Sequence, residues 1–590
     1  MVVHLSFALL SLSVFAPMAA LTLQGAVMLS GESALSDAAI AGFLFSPKGF
    51  LVAMLVGSLL LTVQLLAYSA LLIPARAALV HGGCQAAAVP GLLLPALLPI
   101  LRISLRFILR LLLCTLPFAG LLGLIYFKLL GAHDINYYLA KQPPIFMWAL
   151  GLAAVVMLGH LITVCRLATG WVHALPLAIF HDDGPDEAIR ISKDASVGER
   201  KIVFISLVLW GLFTPLVSSL LNLPWSAIAI AAAEHLGGHL NALVLVLGLC
   251  LALSVATSWL VGFCGLSLLA LQNMKLYLES GLDEGAVPPM ILERRLPVGR
   301  KCALAVGLGV CCWTFFISNR WLESLQNEKP AVVIAHRGAS LVAPENTLAA
   351  VRAAVEAKAD WVEIDVQESA DGTVMVFHDR DFKRMGGPAK QIWELGDAEL
   401  AMIDIGSWMA PEFSGERTPR LSEVLELCKN RSGVLIELKY YGHQRELERR
   451  VVETVEAAGM ANQVMVMSLS KDGVDKTRKL RPEWRYGLLS SVAVGNVTRL
   501  NLDFLGLNAR TTSRRVIREA ETRGLKIHVW TVNDKAEMAM MLGRGVDGLI
   551  TDDPAAAREV LTARANASFG EKILMDLAAV LGKKPPLRQQ

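Results

Sequence analysis

Long apolar runs dominate the first 320 residues of the chain. They lie near 5–29, 49–73, 111–131, 145–165, 202–222, 242–271 and 303–319. An α-helix needs about 20 such residues to cross a hydrocarbon layer of about 30 Å. The first run lacks the basic segment that precedes a cleaved signal sequence, so we interpret it as an uncleaved helix. Residues 1–320 are therefore predicted to form an α-helical multi-pass membrane domain of about seven helices.

The distribution of charge separates this region from the rest of the chain. Only 10% of residues 1–320 are Asp, Glu, Lys or Arg, against 28% of residues 321–590. The first value is too low for a water-facing surface, whereas the second is normal for a globular domain. This split excludes a purely soluble protein, a disordered chain and a disulfide scaffold. The formal net charge of +3 gives no reason to expect a nucleic-acid partner.

Basic residues between the apolar runs predict the orientation of the membrane domain. The connections after the second, fourth and sixth runs hold fourteen Lys and Arg residues, whereas the alternate connections hold three, Lys48, Lys128 and Lys141. Cytoplasmic loops carry the excess of basic residues. We therefore expect a cytoplasmic N-terminus in the cell (inner) membrane and, after seven crossings, an extracytoplasmic location for everything beyond residue 320. A span count that differs by one would reverse the last inference.

Several smaller features of this half have two interpretations each. Proline-interrupted stretches at 90–101, 167–180 and 223–233 indicate interfacial or re-entrant pieces rather than full crossings. Three arginines, Arg102, Arg106 and Arg110, share one helical face; we favour topology-setting charge over a grip on anionic headgroups. His160 lies inside the fourth run, where a hydrogen bond to a neighbouring helix is favoured over a proton or ligand site.

The polar half alternates short strand patterns with helical patterns. The predicted strands are Ala331–Ala335, Trp361–Val366, Gly433–Leu438, Gln463–Ser468, Arg485–Ser490, Asp503–Leu507, Lys526–Thr531 and Gly545–Ile550. Helical segments between them include Thr347–Ala359, Gln444–Ala458, Arg514–Arg523 and Asp534–Leu542. Eight such units in about 240 residues predict an α/β TIM (β/α)8 barrel over residues 328–565. Residues 566–590 form a C-terminal tail to which no function is assigned.

Acidic residues follow the predicted second and third strands of this barrel. Glu363 and Asp365 point to the same side because side chains alternate along a strand, and Glu437 ends the next strand. Barrel enzymes place their chemistry at this end of the strands. Three buried carboxylates repel one another unless a cation lies between them. An oxygen-only ligand set suits one divalent cation, Mg²⁺ or Ca²⁺, and argues against Zn²⁺.

Basic and imidazole side chains converge on the same rim. His336 and Arg337 follow the first strand, and Lys439 lies two residues after Glu437. The pair Asp371-Gly372 predicts a hairpin that returns His378 towards the acids. Histidines titrate near neutrality and can serve as base and acid on opposite sides of a phosphorus atom. Arg337 and Lys439 can hold the charge that develops on phosphoryl oxygens, so the set predicts phosphate ester chemistry.

The order and spacing of these motifs resemble the glycerophosphodiester phosphodiesterase family over roughly residues 330–560. The motifs are His336-Arg337-Gly338, Pro344-Glu345-Asn346-Thr347, Ala359–Val366, Asp371-Gly372, His378-Asp379, Glu437-Leu438-Lys439, Trp530-Thr531-Val532-Asn533 and Thr551-Asp552. The membrane half, around Trp171–Val203, more weakly resembles the multi-span domain that some bacterial members carry. The stretch 380–432 is similar in placement to the family's inserted segment. Its aromatic residues Trp393, Trp408 and Phe413 either shape the alcohol side of the pocket or pack a small core of their own.

The resemblance implies a reaction and a role for each residue. The family hydrolyses glycerophosphodiesters to glycerol 3-phosphate and an alcohol with a divalent cation. By resemblance, Glu363, Asp365 and Glu437 are metal ligands, and His336 and His378 perform acid–base work with Arg337. Phosphate contact falls to Arg337 and Lys439, and Trp530 lines the glycerol side of the pocket.

The leading hypothesis is an enzyme, a membrane-anchored, metal-dependent glycerophosphodiester phosphodiesterase of glycerophospholipid metabolism. Its partners are the glycerophosphodiester or a lysolipid as substrate, and the lipid bilayer. One alternative is lysophospholipase D-like or phospholipase C-like cleavage of membrane lipids. Another is a barrel that binds ligand and regulates a transporter formed by residues 1–320. The sequence predicts neither the preferred alcohol nor the oligomeric state.

Overall fold

A computed structural model describes most of the chain outside its two termini and the segment that joins its halves. The described residues are 46–81, 88–133, 135–181, 184–236, 240–283, 329–490 and 500–567, with 34–35, 494–495, 571–572 and 575. They fall into two compact units. One contains most of the apolar helices, and the other contains the polar half together with the segment Ile125–Leu150.

Long helices form the apolar unit. The helices of this half of the chain are α1 Pro47–His81, α2 Ala88–Ile125, α3 Ile135–Lys141, α4 Pro144–Gly170, α5 Ala174–Phe180, α6 Pro185–Ala195, α7 Arg200–His235 and α8 Leu240–Glu279. A π-helical turn, Tyr126–Leu130, extends α2. Five segments of the described chain are long and apolar enough to cross a membrane, and they overlap the second to sixth predicted runs. The first and last predicted runs lie outside the described residues.

Prolines do not divide these helices in the way the sequence indicated. The stretch 90–101 continues into the run 111–131 within α2, and 223–233 continues α7. The stretch 167–180 is divided between the end of α4 and α5. The prediction of separate interfacial or re-entrant pieces is therefore wrong for the first and third stretches. Membrane helices tolerate proline because neighbouring groups satisfy the carbonyl that it leaves unpaired.

Polar contacts join neighbouring helices of the apolar unit. His160 Nε2 on α4 lies 3.0 Å from Thr115 Oγ1 on α2, so its predicted hydrogen bond to another helix is confirmed. Between α7 and α8, Ser254 Oγ donates to Asn222 Oδ1 at 2.6 Å. Such bonds hold apolar helices in register because few other polar partners exist in hydrocarbon.

The larger sheet of the polar unit has nine strands; a separate short sheet pairs Ala34–Leu35 with Val494–Gly495. The nine strands of the larger sheet are β1 Val332–Ala335, β2 Trp361–Glu368, β3 Val374–Val376, β4 Gly433–Leu438, β5 Val464–Ser468, β6 Arg485–Ser490, β7 Phe504–Asn508, β8 Lys526–Trp530 and β9 Gly548–Thr551. Eight of them are parallel and neighbour one another in the order β1-β9-β8-β7-β6-β5-β4-β2, and β2 pairs with β1 to close the circle. The predicted eight-stranded barrel is confirmed.

Helices surround the barrel. They are α9 Leu348–Glu356, α10 Asp397–Leu400, α11 Leu421–Cys428, α12 Leu447–Ala457, α13 Lys471–Leu480, α14 Arg514–Glu521, α15 Lys535–Arg544 and α16 Pro554–Asn566. The sequence predicted α9, α12, α14 and α15. It did not name α10 and α11, which fall within the stretch 380–432 assigned to an insertion, α13, whose Gly473 weakens the helical pattern, or α16.

Two apolar layers determine which strand residues can reach the site. Ile364, Val366 and Ile436 belong to the layer between strands and helices. Ile334 and Leu435 belong to a separate cluster inside the barrel. Because side chains alternate, residues an even number of positions after these interior residues also point inward. The interior cluster thus forms the floor below the C-terminal strand ends.

The strand β3 forms the predicted hairpin with β2. Val366 pairs with Val376 in antiparallel register, and Gly372 in the turn has a φ of +81°. That backbone conformation suits glycine because other side chains are strained there. The segment after β3 has a small core of its own in which Phe377 and Phe382 stack at 4.4 Å. The hairpin therefore carries His378 back to the barrel mouth.

Candidate active site

Three buried carboxylates meet at the C-terminal ends of two neighbouring strands. Glu363 and Asp365 point inward from β2, on either side of the outward-facing Ile364. Glu437 points inward from β4, two residues after the interior Leu435. One oxygen from each acid lies within 4.8 Å of the others. We call Glu363, Asp365 and Glu437 the carboxylate trio.

Burial and charge act differently on two members of the trio. Burial raises the pKa of Glu363 well above its usual range, and the charges of Asp365 and Glu437 raise it further. Burial acts on Asp365 in the same direction, but Lys439 and other nearby cationic groups outweigh it and lower the pKa of Asp365 well below its usual range. Among the described residues, Glu363 Oε1 has no hydrogen-bond partner. A buried, unpartnered carboxylate oxygen beside two further acids is the donor set that a hard divalent cation prefers.

Two buried cationic side chains border the trio. Lys439 Nζ lies 2.7 Å from Glu437 Oε1 and 3.1 Å from Asp365 Oδ1. The backbone N–H of Arg337 donates to Glu363 Oε2 at 2.7 Å, and its Nε lies 3.3 Å from Asp365 Oδ2. The Lys439 and Arg337 side chains are 12% and 18% exposed, so both can be reached from the barrel mouth. They offset the negative charge that the trio concentrates.

His336 is held by a carboxylate from the last strand of the barrel. Its Nδ1 lies 2.7 Å from Asp552 Oδ1, directly after β9. Burial would raise the pKa of Asp552, but hydrogen bonds from His336, Ser340 and Asn533 lower it to about 2. An ionised carboxylate can only accept, so Nδ1 carries the proton and Nε2 is left to accept one. This pairing orients His336 as a base.

His378 also has a carboxylate partner, in the segment after β3. Its Nδ1 lies 2.7 Å from Asp379 Oδ1, and Arg384 Nε donates to Asp379 Oδ2 at 2.6 Å. Gln367 Nε2 donates to the carbonyl oxygens of Phe377 and Asp379 at 2.9 and 2.8 Å. Burial would raise the pKa of Asp379, but His378 and Arg384 lower it. Hydrogen bonds therefore hold both the imidazole ring of His378 and the backbone on either side of it.

A shared acid links Arg337 to the segment after His378. Glu345 Oε1 accepts from Arg337 at 2.7 Å and from Arg384 at 2.6 Å. Burial would raise the pKa of Glu345, but the two arginines lower it to about 2. Asn346 Nδ2 donates to Asp365 Oδ2 at 2.8 Å. The turn after β1 thus fixes both an arginine and a member of the trio.

The aromatic residues that the sequence singled out differ in their surroundings. Trp530 ends β8, packs against the interior cluster, and has a buried Nε1 without a partner in the described chain. Trp393 packs against the small core after β3 and stacks on His443 at 4.5 Å. Trp408 is 39% exposed. For Trp393 the packing interpretation is therefore the one that the contacts favour.

A loop from the apolar half contacts the segment that carries Arg384. We call residues 131–143, between the π-helical turn and α4, the connecting loop. His133 Nδ1 in this loop lies 2.6 Å from Asp381 Oδ2, and the Asp381 side chain is 3% exposed. Helix α3 packs against the turn Lys383–Met385. The loop belongs to the same compact unit as the barrel.

The structure links six of the eight predicted site residues, all except His336 and Trp530, by direct contacts and shared partners around the trio. His336 pairs with Asp552 at the end of the neighbouring strand β9. Sequence reasoning assigned no role to the residues that hold them. Glu345, Asn346, Asp379 and Asp552 lie within the quoted motifs, which was the available signal. Arg384 and His133 lie outside those motifs, and the partner of His133, Asp381, is 248 positions away in the sequence.

Comparison with known proteins concerns the barrel. Residues 336–556 match the model of the glycerophosphoryl diester phosphodiesterase family. A glycerophosphodiester phosphodiesterase of Caldanaerobacter subterraneus subsp. tengcongensis is 31% identical over 233 residues, 38% of this chain and 94% of that protein. The Bacillus subtilis (strain 168) protein YhdW is 33% identical over 229 residues, 38% of this chain and 94% of that protein.

Solved structures are similar over the same region. An Oleispira antarctica phosphodiesterase, solved in complex with the product sn-glycerol-3-phosphate, is 27% identical with a TM-score of 0.38. The match covers 40% of this chain and 99% of that chain.

Proposed function

The chain belongs to the glycerophosphoryl diester phosphodiesterase family, and we propose that it is a membrane-anchored enzyme that uses a divalent cation to hydrolyse glycerophosphodiesters to glycerol 3-phosphate and an alcohol. The observation that carries the proposal is the carboxylate trio, buried within 4.8 Å and flanked by two histidine–carboxylate pairs. An ordinary structural ion pair requires neither a third acid nor two oriented imidazoles. The arrangement is that of a site for phosphate ester hydrolysis.

The trio fits a hard cation. Glu363, Asp365 and Glu437 would hold Mg²⁺ or Ca²⁺ through oxygen atoms. When bound, such an ion polarises a phosphoryl oxygen and neutralises the charge that develops on it. The unpartnered Glu363 Oε1 supports this fit, since a buried carboxylate oxygen without a donor is costly.

The two histidines would perform opposite proton transfers. Asp552 and Asp379 accept from the Nδ1 atoms of His336 and His378, so each Nε2 is the atom available for chemistry. One imidazole removes a proton from the attacking hydroxyl group, and the other donates a proton to the leaving alcohol. The two pairs follow different strands, His336 and Asp552 after β1 and β9 and His378 and Asp379 after β3, so two separate imidazoles are available for the two transfers.

Arg337 and Lys439 would bind the phosphate. Both are cationic, and both retain some exposure at the mouth. Burial alone would lower the pKa of Lys439, but Asp365 and Glu437 raise it, so the amine stays charged at neutral pH. Trp530, half-buried and with no partner for its Nε1 in the described part of the chain, would line the glycerol side.

We infer that the barrel faces the extracytoplasmic side. Of the described loops, the connecting loop holds a single basic residue, Lys141, whereas the connections on the other side are rich in Arg and Lys. His133 in that loop contacts Asp381 of the barrel. Both facts support the same side for the loop and the catalytic site. Reaction of a membrane-impermeant thiol reagent with a cysteine placed at exposed Met402 in intact cells would test the sidedness.

The activity is tested with the purified full chain and a substrate panel. Glycerophosphocholine and glycerophosphoglycerol should release sn-glycerol 3-phosphate, EDTA should abolish release, and added Mg²⁺ or Ca²⁺ should restore it. Lysophosphatidyl substrates, compared in the same assay, distinguish soluble diesters from lipids still in the bilayer. No turnover of any diester with either cation present would contradict the proposal.

A further inference from the structure

A cavity of about 260 Å³ lies within the apolar unit. Its walls are mainly leucine, isoleucine and aromatic side chains from α1, α2, α7 and α8 and from the segment between α4 and α5. An apolar cavity of about 150 Å³ is already large enough to hold benzene. This space is therefore large enough for part of one lipid-like molecule.

Two polar atoms in the cavity wall have no protein partner. Trp171 Nε1 and Asn273 Oδ1 are both buried and lack a hydrogen bond among the described residues. Trp171 is 7% exposed and Asn273 is 8% exposed, and both line the cavity. One atom is a donor and the other an acceptor, and a hydroxyl group is a ligand group that can pair with either kind. Leaving both unpaired would cost several kcal/mol in a medium that supplies few alternative partners.

Positive charge lies beside the same wall. The Arg110 guanidinium is 4.8 Å from the centroid of the Trp171 ring. Its neighbour on the helical face, Arg106, pairs with Asp186. Within the described chain, Arg102 and Arg110 have no carboxylate partner among the ion pairs. An anionic headgroup would therefore find unneutralised cations on this face.

We propose that the cavity binds an anionic, single-chain lipid with a free glyceryl hydroxyl, the chemistry of a lysophospholipid. Its hydroxyl would accept from Trp171 Nε1 and donate to Asn273 Oδ1, its chain would lie along the apolar walls, and its phosphate would face Arg110. The hydroxyl in question is the one on the acylated glycerol, which a diacyl lipid lacks because both of its acyl positions are esterified. The proposal rests on the apolar unit alone and does not depend on the reaction of the barrel.

Fluorescence quenching tests the proposal in the full chain. The Glu363→Gln background keeps the lipid from being hydrolysed by the barrel. A lysophosphatidylglycerol with a dibrominated chain is titrated into the protein in nanodiscs, and Trp171→Phe is compared with the parent. We expect a saturable quenching component in the parent that Trp171→Phe lacks. With Trp171 retained, Asn273→Leu should raise the half-saturating concentration about fivefold or more, which is about 1 kcal/mol or more.

Controls separate a bound lipid from the surrounding bilayer. Trp148 is 73% exposed on α4, so Trp148→Phe should keep the saturable component and lose only unsaturable quenching. A dibrominated diacyl phosphatidylglycerol should show no saturable component at Trp171. Equal quenching by the diacyl lipid, or identical saturable quenching in the parent and Trp171→Phe, would overturn the proposal. Circular dichroism of each variant checks that the helices are intact.

Discussion

Different observations identify the functional groups in the two halves of this chain. In the barrel, the groups that do chemistry are polar residues at strand ends, and their positions follow from the topology. In the apolar half, most side chains are interchangeable Leu, Ile, Val and Ala, and many of them are exposed, such as Leu212 by 65%, Val155 by 68% and Leu268 by 67%. A polar atom in the barrel has many candidate partners. In the apolar half an unpaired polar atom is itself informative, which is why Trp171 and Asn273 stand out.

The largest expected effect concerns the carboxylate trio. Glu363→Gln removes one ionised oxygen ligand and should lower kcat/KM about 10³-fold or more, because charge stabilisation at phosphorus is lost. The measurement is release of glycerol 3-phosphate from glycerophosphoglycerol at saturating Mg²⁺ and Ca²⁺. A substitution of a polar group in the apolar half serves for comparison: Asn222→Leu should leave kcat within a factor of about two.

A matched control lies on the same strand. Glu368 is only 7% exposed and so is buried like the trio. Its side chain points away from the barrel interior and pairs with Arg450. Glu368→Gln should reduce thermal stability while the folded protein keeps its kcat. If Glu368→Gln lost as much kcat as Glu363→Gln at equal folded fraction, burial of a charge on β2, rather than cation binding, would explain both results.

The next effect concerns the histidine–carboxylate pairs. His378→Asn preserves a polar side chain but removes the titrating group, so kcat should fall about 10²- to 10⁴-fold. A substrate with an activated leaving group, such as a nitrophenyl diester, needs less help from an acid. If His378 is the acid, this substrate should recover much of the lost rate, whereas His336→Asn should not be rescued. Equal rescue of both variants would contradict the assignment of opposite roles.

Particular residues show how far sequence reasoning reaches. Glu363, Asp365 and Glu437 could be predicted together because strand alternation and barrel closure determine where they point. The role of His133 could not, because a hydrogen bond between residues 248 positions apart depends on tertiary packing that no local pattern records. In the apolar half, the boundaries at residues 90–101 and 223–233 were wrong for a different reason. The rule that proline ends a helix holds for helices in water. Helices in a membrane tolerate an internal proline more readily.

Lowering the pH should reduce the stability of the barrel because Glu345 becomes protonated. Its pKa lies near 2 in the folded chain, below the ordinary value of 4.5. A lowered pKa means that the acid contributes stability above about pH 4.5 and loses it as pH falls towards 2. The contribution is at most a few kcal/mol. Thermal unfolding between pH 5 and pH 3 should show this loss, and Glu345→Gln should flatten it, while Glu412→Gln, an exposed control, should not.

The smallest expected effect tests whether the two halves act together at all. Asp381 is buried, and His133 is its ion-pair partner in the described chain. His133→Ala removes that partner next to Arg384, which holds Asp379 and therefore His378. We expect kcat in the full chain to fall about three- to tenfold with KM little changed, because a misplaced imidazole affects the chemical step more than binding. His133→Asn, which retains a donor near the Nδ1 position, should restore most of the rate, and the exposed Lys141→Ala on the same loop should change nothing. Unchanged kcat in His133→Ala would show that the connecting loop does not influence the catalytic step. The two halves would then be functionally independent in this respect.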